Sequence, residues 1–258
     1  MSREIELEVE VPGTVDEVWQ TIATGPGVTS WFIPMSVEER AGGEVVMDFG
    51  DHGSETATVA AWEPPHRVVF EGSGERALAY EWLVEARDGG TCVVRLVNSG
   101  FGDGADWDGE YDGMSGGWRI FLEHLRIHLT HFRGRRSTTS TPSVMVPGPN
   151  AAAWRSACAA LGVDPELAVG DHVTTGDDTP GLSGVVESML TSGAATAALL
   201  LLDGGVGTAF LSVEGDGDLV ATSLYLYRYA PEGPDGEAWR RWLADRLAPS
   251  SADPPVAT

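Results

Sequence analysis

The sequence predicts an α+β protein: a curved antiparallel sheet wrapped on a long C-terminal helix, built twice, with a reduced second copy. Three observations carry this. The tripeptide Val11-Pro12-Gly13, followed by Trp19, returns as Val146-Pro147-Gly148, followed at the same spacing by Trp154. Each half also closes on a Trp-Arg-x-x-Leu stretch, at Trp118-Arg119 with Leu122 and at Trp239-Arg240 with Leu243. Between these marks lie runs of strand-like residues and one long segment of helical period. Internal repetition at this scale points to duplication, and two unrelated domains remain the other reading. The division expected is a first domain over 1–134, a linker over 135–142, a smaller α+β domain over 143–248 and a disordered tail over 249–258.

In the first half, Glu4 to Val11 alternates charged and apolar residues, with Ile5, Leu7, Val9 and Val11 on one side, as in a strand with one wet face. Thr14 then stands where it can cap a helix, with Glu17 completing a capping box. Val15, Val18, Trp19 and Ile22 supply that helix with a buried stripe. Gly25-Pro26-Gly27 precedes a second short helix expected to carry Trp31 and Phe32 and to end at Pro34. From Val37 to Asn98, turn residues at Gly42-Gly43, Asp51-His52-Gly53, Pro64-Pro65, Gly72-Ser73-Gly74 and Asp88-Gly89-Gly90 divide the chain into about six strands. From Asp106 to Phe132 the period becomes helical, with Trp118, Phe121, Leu122, Leu125, Leu129 and Phe132 on one face. A sheet closed by that helix is the simplest packing of these parts.

This order, with Val18-Trp19, Trp31-Phe32, Trp62-Glu63-Pro64-Pro65, Tyr80-Glu81-Trp82 and Gly117-Trp118 with Leu122, resembles the helix-grip START-like (SRPBCC) superfamily. Within it, the stretch is similar to the branch named after the activator of Hsp90 ATPase, over residues 3–133. The resemblance implies a cavity between sheet and long helix that holds an apolar or amphipathic small molecule. The residues placed on its wall are Trp31, Phe49, Trp62, Tyr80, Trp82, Trp107, Tyr111 and Trp118, for each of which plain core packing is the alternative. Fourteen aromatic residues precede position 134 and seven follow it, so the first half is the expected ligand holder.

Composition narrows the function from the other side. A net charge of −23 with no basic stripe opposes binding to a phosphate backbone. All 16 cationic side chains are Arg, so Schiff-base chemistry and a phosphate-loop lysine are excluded. No apolar run is long enough for a membrane span, and Met1-Ser2-Arg3-Glu4 lacks the apolar core of a signal peptide, so a cytoplasmic protein is expected. Cys92 and Cys158 lie in different halves and read as reduced core residues.

Other constellations have plainer readings. His124, His128 and His131 share one side of the long helix but lie on its flank, as a solvated or domain-facing stripe, so no metal is expected. Ile120 and Ile127 fall opposite the core face, which predicts that the second half docks on the 118–132 helix. Asp103, Asp106, Asp108, Glu110 and Asp112 do not fit a calcium loop and suit the positive N-terminus of the helix. Arg95, within Val93-Val94-Arg95-Leu96-Val97, pairs with a neighbouring-strand acid or anchors an anion. No catalytic-nucleophile, zinc, phosphate-loop or dinucleotide motif is present.

The second half reads as a strand over 143–146, a helix over 150–161, a loop-rich stretch to Thr179, strands near 185–190, 195–202, 206–213 and 219–228, and a helix over 236–247. The plan is that of the first half with fewer strands. Tyr225, Tyr227 and Tyr229 share one parity, as a sheet-face cluster or an interface. Three functions stay open: non-catalytic binding of an apolar or amphipathic small molecule, without a cofactor; a co-chaperone-like interaction module with a chaperone partner; and a cyclase- or hydrolase-like enzyme using the same cavity.

Overall fold

The computed structural model describes residues 3–50, 53–192, 194–215 and 217–247. The expected tail over 249–258 lies outside the described residues. The first half runs β1 (Arg3–Pro12), α1 (Val15–Ala23), α2 (Gly25–Thr29), β2 (Met35–Val37), β3 (Glu44–Asp48), β4 (Ser54–Glu63), β5 (Arg67–Gly72), β6 (Ala79–Arg87), β7 (Thr91–Phe101) and α3 (Asp108–His131). Its antiparallel sheet has the order β1-β7-β6-β5-β4-β3-β2. The capping box forms: the Thr14 hydroxyl accepts from Glu17 N at 3.3 Å while Glu17 accepts from Thr14 N at 2.8 Å. The second short helix begins on Gly25-Pro26-Gly27 itself, capped by Thr24, and stops sooner than expected, so Trp31 and Phe32 lie in the turn beyond α2.

The second half comprises β8 (Thr138–Ser140), β9 (Ser143–Pro147), α4 (Asn150–Leu161), β10 (His172–Thr174), β11 (Ser183–Ser192), β12 (Ala195–Leu202), β13 (Gly207–Glu214), β14 (Leu219–Arg228) and α5 (Gly236–Leu247). Its sheet also has seven strands, in the order β10-β11-β12-β13-β14-β8, with β9 paired to β14 as well. The expectation of fewer strands failed because β8 and β10 are three residues each, too short to show a period. β8 also lies inside the segment expected to be linker, where Leu226, Tyr227 and Arg228 of β14 pair with it. What is reduced is helical: α5 has 12 residues where α3 has 24. In both sheets the opening strand lies beside the last and the rest follow in descending order, a shared topology consistent with duplication.

The long helix is buried on both sides. Trp118, Leu122 and Leu125 pack in a core with Val59, Phe70, Trp82 and Leu96 of the first sheet, and Ile120 and Ile127 extend the same core to Ala195, Ala197, Leu199, Phe210 and Tyr227 of the second. The other face of the second sheet packs on α4 and α5 through Trp154, Ala157, Leu200, Leu211, Trp239 and Leu243. Covered on both faces, β13 is buried at every position from Gly207 to Val213, which explains its run of small and apolar residues in place of alternation. Gly116 lets the layers close up, since a Cβ there would sit 3.2 Å from the Ala195 Cβ.

Ile127 is 1% exposed between the two sheets. Ile127→Asp is expected to cost at least ~3 kcal/mol of stability, read as a lowered urea midpoint, because it buries a carboxylate without a partner. A midpoint equal to that of the parent protein would contradict this packing.

Candidate functional site

A cavity of about 360 Å³ opens between the first sheet and α3, within the size range of small-molecule sites. Aromatic rings build its wall. Trp31 meets Trp82 edge-on at 5.6 Å, Trp82 meets Trp118 at 5.5 Å, and Phe32 stacks on Trp118 at 5.0 Å. Tyr80 stands edge-on to Trp118 at 5.7 Å, and Phe49, Phe70, Met35, Met47 and Met114 fill in between. The indoles are fixed by hydrogen bonds: Trp31 Nε1 donates to the Thr21 carbonyl at 3.0 Å and Trp118 Nε1 to Asn98 Oδ1 at 3.3 Å. Asn98, fully buried, donates in turn to the Ala79 carbonyl at 3.1 Å.

Five of the eight side chains placed on this wall from the sequence line it: Trp31, Phe49, Tyr80, Trp82 and Trp118. Three do not. Trp62 follows a bulge between Val59 and Ala61 and pairs with Val68, but at that end of the sheet it meets α1, edge-on to Trp19 at 5.0 Å. Trp107 lies beneath the Arg76 guanidinium at 3.6 Å and joins Ile5, Leu78 and Phe101 in a separate cluster. Tyr111 turns away toward β1, where its hydroxyl donates to the Glu4 carbonyl at 3.1 Å and its ring stands edge-on to Phe101.

The sequence reading missed Phe32 and Phe121, and with them the contribution of the second half. Glu214 at the end of β13 and Tyr225 of β14 line the same cavity. Tyr225 stacks on Phe210 at 4.3 Å and meets Phe121 edge-on at 5.2 Å. The shared parity of the three tyrosines was a signal for this face, but which surface it would meet depends on docking between segments far apart in the chain. Glu55 and Glu110 stand at the side near Tyr80, and Glu110 accepts from Arg76 at 2.6 Å. Burial, with Glu55 and Glu110 nearby, holds the Tyr80 phenol well above its ordinary pKa, and burial beside Glu214 does the same at Tyr225.

Residues 29–32, which carry part of this wall, are held largely by side chains from beyond the first sheet. Thr139 Oγ1 donates to the Thr29 carbonyl at 2.6 Å, the Tyr229 hydroxyl to that of Ser30 at 2.5 Å and the Tyr227 hydroxyl to that of Phe32 at 2.7 Å. The Trp31 carbonyl accepts from His124 Nδ1 of α3 at 2.7 Å, so His124 Nε2, unprotonated, accepts from Thr208 at 2.7 Å. His128 Nδ1 lies 2.7 Å from the Tyr229 oxygen, whose proton is committed to Ser30, so the imidazole donates. The histidine stripe thus faces the second half, with His131 Nε2 3.2 Å from Glu187 of β11. Among the described residues no group of three or more His, Cys, Asp or Glu is placed to hold a metal ion. Arg95 pairs with Glu6 and Glu8 across the strands, outside the cavity.

Residues 12–130 match the family model for Activator of Hsp90 ATPase homolog 1-like protein. The first half is therefore START-like, of the Aha1-like branch. Among solved structures, a Mesorhizobium loti protein is 19% identical over 50% of this chain and 98% of its own, with a TM-score of 0.46. DynU16, from the dynemicin biosynthetic locus, is 18% identical over 93% of this chain and 92% of its own, with a TM-score of 0.46. The Aha1 dimer of Colwellia psychrerythraea is 17% identical over 49% of this chain and 96% of its own, with a TM-score of 0.43. Among curated proteins, none matches this sequence. No helix of the described residues is long and apolar enough to cross a membrane.

Two outcomes follow from the contacts around residues 29–32. Tyr227→Phe leaves the Phe32 carbonyl without this donor and is expected to cost about 1–3 kcal/mol in urea denaturation. Burial lowers the pKa of His124 to about 4 and, with His124 adding to the effect, that of His128 to about 3. Both lie below the unfolded value of ~6.5, so below that pH the unfolded chain binds more protons. Stability present above pH ~6.5 is then lost as pH falls toward those two values, by up to ~1.4 kcal/mol per unit and per histidine. Urea midpoints measured between pH 7 and 5 should fall, and fall less steeply in His124→Gln, His128→Gln.

Proposed function

We propose that the protein is a non-catalytic binder of an apolar or amphipathic small molecule, held in the cavity between the first sheet and α3. The observation that carries this reading is the aromatic wall around a cavity of about 360 Å³, closed on one side by residues of the second half. Such a site suits a rigid apolar body, because packed rings bury area at little cost in side-chain entropy. The polar groups at hand suit recognition more than turnover. Of the side chains that an enzyme would draw on here, Tyr111 and Asp106 lie outside the wall, Glu110 is paired with Arg76, and Tyr80 lines the wall with its phenol kept protonated by burial. The second half acts as support and cover, fixing residues 29–32 and adding Glu214 and Tyr225. A cytoplasmic setting goes with this reading, since Cys92 and Cys158 are buried free thiols.

Native mass spectrometry of freshly purified protein tests the reading, with extraction of whatever is retained. A bound molecule of a few hundred daltons is expected. It should be lost in Trp82→Ala, Tyr80→Ala, and also in Gly113→Phe. Gly113 lines the cavity from α3 and has open space beside it, so that change fills the site without removing core contacts. Retention of the same molecule by Gly113→Phe would place it elsewhere on the protein.

A further inference from the structure

Among the described residues, the charged side chains on the cavity wall are all carboxylates: Glu55 and Glu110 on one side and Glu214 on the other. They differ in how their charge is met. Glu55 is exposed to solvent, and Glu110 binds the Arg76 guanidinium at 2.6 Å. Glu214 is half-buried, and the Ser212 hydroxyl donates to its Oε1 at 2.5 Å. No cation is paired with it among the described residues.

Glu214 reaches the wall over a gap in α3. Gly117 presents no side chain there, and a Cβ at that position would lie 3.4 Å from Glu214 Oε2. Glycine inside a helix weakens it. Gly116 and Gly117 in succession let a carboxyl of the second half enter the cavity of the first. Tyr225 is its neighbour, and Phe121 and Trp118 line the same cavity, aromatic rings whose faces carry negative potential. Taking a carboxylate out of water without a counter-charge is unfavourable. Burial accordingly raises the Glu214 pKa. A carboxyl so placed, on an aromatic wall and with no counter-charge among the described residues, has the chemistry to receive a cation.

We propose that the cavity, on the ligand-binding reading above, selects a hydrophobic amine, with its aromatic or alicyclic body along the tryptophans and its protonated nitrogen against Glu214. An acid of the same shape would meet three carboxyl groups, with no cation on the wall among the described residues. A neutral alcohol would bury the same apolar area without the ion pair.

Calorimetric titration of the full chain with naphthylethylamine, naphthylethanol and naphthylpropionic acid tests this, since the three share a ring system and differ in charge. The amine is expected to bind at least about tenfold more tightly than the alcohol at neutral pH, with the acid weakest. Glu214→Gln, close in shape, should bring the amine down to the affinity of the alcohol and leave the alcohol unchanged. If that variant fails to fold, Glu214→Asp, which draws the carboxyl back by one methylene, must lower the amine preference instead. Equal binding of amine and alcohol, or a preference that survives the Glu214 variants, overturns the amine assignment and leaves the cavity reading standing. Failure of all three probes to bind overturns that reading, and the amine assignment with it.

Discussion

Four successive carbonyl oxygens, from Thr29 to Phe32, must find donors where the chain leaves α2 and turns inward. The first sheet does not supply them. Thr139, Tyr229, His124 and Tyr227 do, and three of those four belong to the second half. Buried carbonyls left unmet would each cost a sizeable fraction of the stability of a domain, so the turn that aims Trp31 and Phe32 at the cavity holds its shape only while the second sheet is docked. The two-sided burial of α3 follows from the same contact, because the tyrosines reaching the turn lie on the sheet face that covers Ile120 and Ile127.

Much of the first half was legible because its signals are local. The Thr14 capping box, the alternation over Glu4 to Val11 and the apolar face around Trp118 each depend on neighbours within a few residues, and each formed as those residues dictate. The site was legible only in part. Tyr80, Trp82 and Trp118 occupy inward positions on elements whose period could be read, and Trp31 and Phe49 reach the wall from the turns just beyond α2 and β3. Trp62 and Tyr111 depend on which structure covers each end of the sheet, and Trp107 is drawn off by Arg76. Glu214 could not have been assigned to the cavity from its own surroundings, since its route there passes over Gly117 of a helix nearly a hundred residues earlier in the chain.

The second half shows how context rewrites a sequence pattern. Strands with one wet face alternate, and β1 does so. β12 and β13 do not alternate, because α3 lies on one side and α4 with α5 on the other. The loss of aromatic residues there is not a loss of packing. Small residues such as Ala195 and Ala197 allow close approach to α3, and Phe210 and the three tyrosines are gathered on the face toward the first half, while Trp154, Trp239 and Trp242 pack on the other face.

A helix that belongs to two sheets at once has a thermodynamic consequence. Neither half can melt without stripping one side of α3, so the two units of sequence behave as one cooperative unit of folding. The same sharing restricts how the halves can diverge. A substitution at Ile127 or Gly116 is tested against both sheets, and drift in one half is tolerated only where the other can follow.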